Sequence, residues 1–269
     1  MNEELAHSEE DFALLDRPEV LRFVFYPRKD MFARPMVENA TAHMIPVDEG
    51  VSISCRFYLA DKKASNILYF HGNGEIASDY DHIAPAFTQI GVNLCVADYR
   101  GYGSSGGTPT FAAMMKDPHP LFDGFKSILR QNKYSGRLFV MGRSLGSAPA
   151  IELAFSYQEQ IRGLIIESGF ASVGRLLDLL SVPAERLGSV REELSFNIDR
   201  MPAITIPTLI IHGEYDSLIP LQHGIDLYQG SGARYKRLLV IPGATHNDIF
   251  LIGMEAYLSA LKEFVTGHG

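Results

Sequence analysis

From residue 41 onward the chain alternates short continuous apolar runs with amphipathic segments, and this rhythm constrains the fold more than any other feature. Six runs stand out: Ile67–Phe70, Val92–Ala97, Leu138–Met141, Leu164–Ile166, Thr208–Ile211 and Arg237–Ile241. Unbroken apolar runs, rather than alternating ones, suit parallel strands covered on both faces. Ahead of them, Thr41–Val47 and Val51–Leu59 flank an Asp48-Glu49-Gly50 turn and read as an antiparallel hairpin. Between the runs, Pro120–Gln131 repeats apolar residues at Leu121, Phe125, Ile128 and Leu129, a helical spacing. Asp117 and Pro118 read as its cap and first-turn pair. A last helix over about 249–265 places Phe250, Tyr257, Leu261 and Phe264 near one face. The predicted class is α/β: a mostly parallel central sheet, helices on both faces, and the antiparallel N-terminal hairpin at one edge.

The whole of 1–269 reads as one domain, since α/β folds of this size are commonly single. No internal repeat, low-complexity tract or Gly/Ser linker divides it. Pro18, Pro27 and Pro35 break any long helix across residues 12–40. The interval from Ile166 to Thr208 is longer than the rhythm requires. It is Leu-rich around Arg175–Leu180 and Leu187–Phe196, and residues 170–204 read as a small helical, cap-like insertion over the strand tops. A crossover helix with a long loop is the alternative.

Charge and composition exclude several classes of function. Lys plus Arg is 24 against 32 Asp plus Glu, a formal net charge of −8, with no basic run. Such a chain is a poor partner for nucleic acid or an anionic membrane. No stretch is long and apolar enough for a transmembrane helix. Glu3, Glu4, Glu9, Glu10 and Asp11 stand where a secretory signal needs a basic and then an apolar segment. Cys55 and Cys95 lie in strand-like runs and read as buried free thiols of a reducing compartment, so the expected location is cytoplasmic. The nine histidines show no zinc-ligand spacing, and no metal is expected.

Ligands of open α/β sheets bind beyond the carboxyl ends of the strands. After Leu138–Met141 comes Gly142-Arg143-Ser144-Leu145-Gly146, a G-x-S-x-G between a strand and an apparent helix through Ala150, Ile151 and Leu153. That is the setting of a nucleophile elbow, in which a strained turn presents the serine and flanking glycines relieve crowding. Pro149, early in that helix, predicts a local kink. A second match, Gly103-Ser104-Ser105-Gly106-Gly107, is followed by Thr108-Pro109 and no immediate helix, so Ser105 reads as loop structure. Gly101-Tyr102-Gly103-Ser104-Ser105-Gly106 also spells G-x-G-x-x-G, but it lacks the helix start and later acid of a dinucleotide site. No nucleotide cofactor is expected.

A serine nucleophile needs a base, and the base needs an orienting acid. In this topology the chain order is Ser, then Asp or Glu, then His. Asp216 follows Thr208–Ile211 within His212-Gly213-Glu214-Tyr215-Asp216, and His246 follows Arg237–Ile241. Glu214 is the runner-up acid, His212 reads as structural, and Asp248 as a cap of the final helix. His71-Gly72-Asn73-Gly74 follows Ile67–Phe70 and suits an oxyanion loop, with the Asn73 amide partnered by that of Leu145 and His71 bracing the turn. The apolar stretch Phe111–Met115 and the insertion are the candidate acyl pocket.

Together these segments resemble the α/β-hydrolase superfamily, in particular its branch of small, BEM46-like serine hydrolases. The resemblance covers nearly all of the chain after about residue 20. It rests on Phe25-Tyr26-Pro27-Arg28, Tyr69-Phe70-His71-Gly72-Asn73-Gly74, Asp98-Tyr99-Arg100-Gly101-Tyr102-Gly103, Gly142-Arg143-Ser144-Leu145-Gly146-Ser147, His212-Gly213-Glu214-Tyr215-Asp216 and His246-Asn247-Asp248. It implies a Ser144–His246–Asp216 triad and hydrolysis without a cofactor. Some members of the family are membrane-anchored and some deacylate protein cysteines. The chain shows neither an N-terminal membrane segment nor an N-terminal cysteine cluster, so those traits are not expected here. The resulting expectation is a carboxylic ester or thioester hydrolase acting on a small acyl substrate through an acyl-enzyme. A peptidase or amidase, an acyltransferase, and a non-catalytic binding protein of the same fold remain alternatives.

Overall fold

A computed structural model of the chain describes residues 12–13, 15–31, 34–179 and 195–267. Its centre is an eight-stranded sheet made of β1 (Ala40–Asp48), β2 (Val51–Tyr58), β3 (Ser65–Phe70), β4 (Val92–Ala97), β5 (Leu138–Arg143), β6 (Leu164–Glu167), β7 (Thr208–Gly213) and β8 (Lys236–Ile241). The spatial order is β1-β2-β4-β3-β5-β6-β7-β8. β2 pairs antiparallel with both β1 and β4, and every other neighbouring pair is parallel. The hairpin therefore forms one edge, as its turn residues foretold.

Both faces of the central strands are buried, and successive residues feed opposite layers. Leu68, Phe70, Cys95, Ala97, Val140, Leu164 and Ile166 face one core. Ile67, Tyr69, Leu94, Val96, Phe139, Met141, Ile165 and Leu209 face the other. This is why these strands read as nearly unbroken apolar runs: with period-two alternation and both sides covered, a polar residue is kept only where it finds a buried partner, as Asn93 does with Asn66 at 3.0 Å. The short helix α1 (Pro18–Val24) packs Val20 and Val24 into the first layer, whereas α2 (Ala84–Gln89) sends Phe87 into the second. α3 (Phe111–Lys116), α4 (Pro118–Gln131) and α5 (Ser147–Ser156) cover the first layer.

Thr110 caps α3 by accepting the Ala113 amide at 3.0 Å, and Asp16 takes the Phe111 amide at 2.6 Å. Asp117 precedes α4 but does not cap it with its side chain. Its carboxylate instead takes both Nε and Nη2 of Arg100, at 2.6 and 2.7 Å. A bidentate guanidinium is a stronger partner than a helix amide, so Pro118 alone serves the first turn.

The segment between β6 and β7 contains α6 (Val173–Leu179), α7 (Phe196–Arg200) and a 3-10 turn at Met201–Ala203. Residues 180–194, and with them Leu180 and most of the second Leu-rich stretch, lie outside the described residues. At both described ends the segment is pinned to the core. Leu176 is 5% exposed and Phe196 1%, and the Ile198 amide reaches the Ala171 carbonyl at 3.0 Å. α8 (Leu221–Gly230) and α9 (Ile249–Gly267) complete the fold, α9 packing Tyr257, Leu261 and Phe264 into the second layer. Among the described residues, no helix is long and apolar enough to cross a membrane.

Candidate active site

Ser144 sits where β5 turns into α5, with φ of +51°, in the left-handed region that a serine rarely adopts. Close backbone approaches hold it there. A Cβ on Gly142 would stand 2.0 Å from the Gly146 carbonyl oxygen, and one on Gly146 would stand 2.1 Å from that of Phe70. Only glycine fits either place. Residues Ser144–Gly146 form a 3-10 turn whose leading amides, including that of Leu145, have no partner within the turn. The Ser147 hydroxyl closes the corner by donating to the Ser144 carbonyl at 2.7 Å. Pro149 falls in the first turn of α5, where the amide it removes has no intrahelical acceptor to lose, and the helix runs through it to Ser156.

His246 and Asp216 meet across two loops. His246 Nδ1 lies 2.7 Å from Asp216 Oδ2, and both residues are buried. Asp216 Oδ1 accepts the amides of Leu218 and Ile219 at 3.1 and 2.7 Å. Burial opposes ionisation of Asp216, but the His246 contact and these amides outweigh it and hold the carboxyl below its usual range. Glu214 makes no contact with His246. It is exposed and accepts the Gly243 amide at 2.9 Å, bracing the loop that carries the histidine. His212 is structural, fully buried with Nε2 at 2.8 Å from the Ile219 carbonyl. Asp248 does not cap α9 with its side chain. Its carboxylate folds back to the Thr245 amide at 2.6 Å, closing the turn that carries His246.

The loop after β3 is fixed from three sides. His71 Nδ1 lies 2.8 Å from the Gly72 carbonyl, and the Tyr99 hydroxyl donates to the His71 carbonyl at 2.6 Å. Asn73 spends its side chain on the N-terminal segment: its Nδ2 donates to the Val24 carbonyl, and its Oδ1 accepts from the Tyr26 amide at 3.0 Å and the Tyr102 hydroxyl at 2.7 Å. Arg28 adds a hydrogen bond to the Gly74 carbonyl at 2.9 Å. Ser105, the serine of the second G-x-S-x-G, has a buried hydroxyl that accepts the Ser54 amide at 2.9 Å. It pins its glycine loop to β2, as a structural residue does. Phe111, Met114 and Met115 are likewise core, and the cavity beside α3 measures only about 20 Å³. That holds about one water. Among the described residues, no group of three or more His, Cys, Asp or Glu is placed to hold a metal ion.

Arg143 was not singled out by its sequence position, yet it is the most connected side chain at the strand ends. It ends β5 in register with Glu167 at the end of β6. Nε donates to Glu167 Oε1 at 3.0 Å, Nη1 to Glu75, and Nη2 to the His246 carbonyl at 2.7 Å. Burial works against the guanidinium charge, and the two carboxylates more than restore it. Burial raises the Glu167 carboxyl above its usual range, whereas Glu75, also opposed by burial, is pulled below it by Arg143. The readable signal was a pair of opposite charges, each closing an apolar strand run.

Comparison with known proteins agrees with this architecture. A family model described as serine aminopeptidase, S33, matches residues 61–197. Alpha/beta hydrolase domain-containing protein 17B of Xenopus tropicalis is 31% identical over 228 residues, spanning 83% of this chain and 74% of that protein. The Homo sapiens protein of the same name is 30% identical over the same shares. Among solved structures, the Pyrococcus furiosus esterase Pf2001 superposes with a TM-score of 0.71 at 21% identity, covering 91% of this chain and 99% of that one. Est1E of Butyrivibrio proteoclasticus, solved with ferulic acid bound, gives 0.70 at 20% identity over 84% and 99%. With the family match over half its length and relatives at this identity, the chain belongs to the α/β-hydrolase superfamily.

Proposed function

We propose that the protein is a serine hydrolase that cleaves carboxylic ester or thioester bonds through Ser144, His246 and Asp216. His246, through the ring nitrogen that Asp216 does not engage, takes the proton of Ser144 as the hydroxyl attacks the acyl carbonyl. Asp216 keeps the imidazole in one tautomer and stabilises its cation. The amides of Asn73 and Leu145 receive the oxyanion of the tetrahedral intermediate. His246 then protonates the leaving alcohol or thiol. In the second half it activates water against the acyl-enzyme, releasing the acid and restoring the serine. The chemistry as drawn needs only side chains, amides and water.

The observation that carries this reading is the 2.7 Å pairing of His246 with Asp216 on a loop that Arg143 ties to the turn of Ser144. A structural aspartate–histidine pair has no reason to be tethered to the residue preceding a strained serine. The esterases among the structural neighbours favour esters. The family model's description favours a second reading, a peptidase on the same three residues.

One assay separates them. p-Nitrophenyl esters of rising chain length and the matching anilides are compared on wild type, Ser144→Ala and His246→Ala. The ester reading predicts ester turnover far above anilide turnover and a loss of about three decades or more in both variants. Anilide hydrolysis matching that of the esters favours the peptidase, and full activity in Ser144→Ala contradicts both.

A further inference from the structure

Arg143 joins the parts of the site that come from distant segments of the chain. It carries the peptide bond into Ser144. Its Nη2 holds the carbonyl of His246 at 2.7 Å. Its Nη1 pairs with Glu75, whose other carboxylate oxygen accepts the Gly72 amide at 2.9 Å within the loop after β3. Its Nε pairs with Glu167, which is anchored in turn by the Tyr257 hydroxyl at 2.6 Å. Asp216 fixes the ring of His246 at one nitrogen only, and a ring held at one point still pivots about it. The second restraint, on the backbone of the same residue, comes from Arg143.

We infer that Arg143 is a positioning residue that sets His246 against Ser144 and holds the Gly72–Asn73 turn in place, through one planar guanidinium that reaches the histidine loop, Glu75 and Glu167. This rests on the triad reading and adds to it the element that assembles the triad. A merely structural role fits poorly. Desolvating three charged groups costs more than an apolar residue filling the same space. Three fixed directions are what a guanidinium offers and an ammonium does not, since lysine presents a compact point charge.

The surroundings supply a test. A cavity of about 190 Å³ lies against this cluster, lined in part by Glu75, Arg143, Glu167, Asn247 and Phe250. Truncating Arg143 joins the vacated volume to that cavity and leaves two carboxylates facing a space that admits a free guanidinium ion. Wild type, Ser144→Ala, Arg143→Ala and Arg143→Lys are assayed on p-nitrophenyl butyrate, with melting temperature measured for each. The expected result is a fall of about 100-fold in kcat for Arg143→Ala with KM within about threefold, the signature of misplaced groups rather than lost binding. Millimolar guanidinium chloride then recovers about tenfold of that loss, whereas sodium chloride and urea do not. Arg143→Lys remains folded and slow. Wild-type kcat in either variant overturns the inference. So does a loss that guanidinium leaves untouched, or unfolding of both variants at assay temperature, which makes the cluster a folding element. Undiminished hydrolysis by Ser144→Ala is a separate outcome, in which the triad reading itself fails whatever Arg143 does.

Discussion

Asp216 shows how one carboxylate is committed to a single task. Oδ1 is occupied by the amides of Leu218 and Ile219, which leaves Oδ2 for His246, with His212 Nε2 behind it at 3.4 Å. Asp216→Asn keeps the amide-accepting oxygen but presents the wrong group to Nδ1. We expect a loss of about two to four decades in kcat with the fold retained. Asp248→Asn, which touches only the Thr245 amide, should cost less than about tenfold in the same assay. Equal losses would show that the acid is misassigned. A second residue-scale prediction concerns buried histidines. His223 Nδ1 accepts the Ala171 amide at 3.1 Å and so must stay unprotonated. Burial holds both His223 and His212 below the usual histidine range. The folded state therefore resists a proton that the unfolded chain accepts at about 6.5. Their contribution to stability is complete above that value and is lost as pH falls below it. Melting temperature should stay level from about pH 8 to 7 and drop between about pH 6.5 and 5. His223→Asn, whose side-chain oxygen can still accept the Ala171 amide, should flatten part of that drop. An unchanged slope in the variant removes His223 from the cause.

At the scale of elements, the glycines of the β5–α5 turn and the described ends of the β6–β7 segment decide most. Gly146→Ala forces a Cβ to 2.1 Å from the Phe70 carbonyl oxygen. Neither backbone can yield without moving β3 against β5, so the variant should fail to give soluble folded protein or should melt well below wild type. Leu176 and Phe196 were candidates for an acyl pocket on composition. Their burial in the core makes them packing residues instead. Leu176→Ala and Phe196→Ala should each cost about 2–5 kcal/mol in chemical denaturation and leave chain-length preference unchanged. A shifted preference at unchanged stability would return them to the pocket. Composition was uninformative here because a leucine-rich helix looks the same whether it packs or gates.

Over the whole molecule, the sheet was legible because its chemistry is local. Each of the six apolar runs lies within a strand, since strands covered on both faces are built mainly from apolar residues. The candidate residues were legible because they directly follow those runs, where an α/β sheet gathers its loops. What escaped depends on partners far away in sequence. Asp117 turns from its helix to Arg100, Asp248 folds back to Thr245, and Arg143 meets Glu75, 68 residues away, and the His246 carbonyl, 103 away. None of these pairings has a local pattern. The decoy serine, by contrast, was separable from local pattern: Ser144 lies between a strand and a helix, and Ser105 does not.

That contrast provides the most direct test of the account. A fluorophosphonate phosphonylates a serine that has an exposed hydroxyl, a neighbouring base and oxyanion donors, because its phosphoryl oxygen occupies the oxyanion position. Ser144 and Ser105 carry the same five-residue pattern in one polypeptide, so each controls for the other. Intact protein is labelled, digested and mapped by mass spectrometry, beside Ser144→Ala and Ser105→Ala. The account predicts a single adduct on Ser144, no labelling of Ser144→Ala, and labelling of Ser105→Ala at the wild-type rate. An adduct on Ser105, or labelling that survives Ser144→Ala, would contradict it.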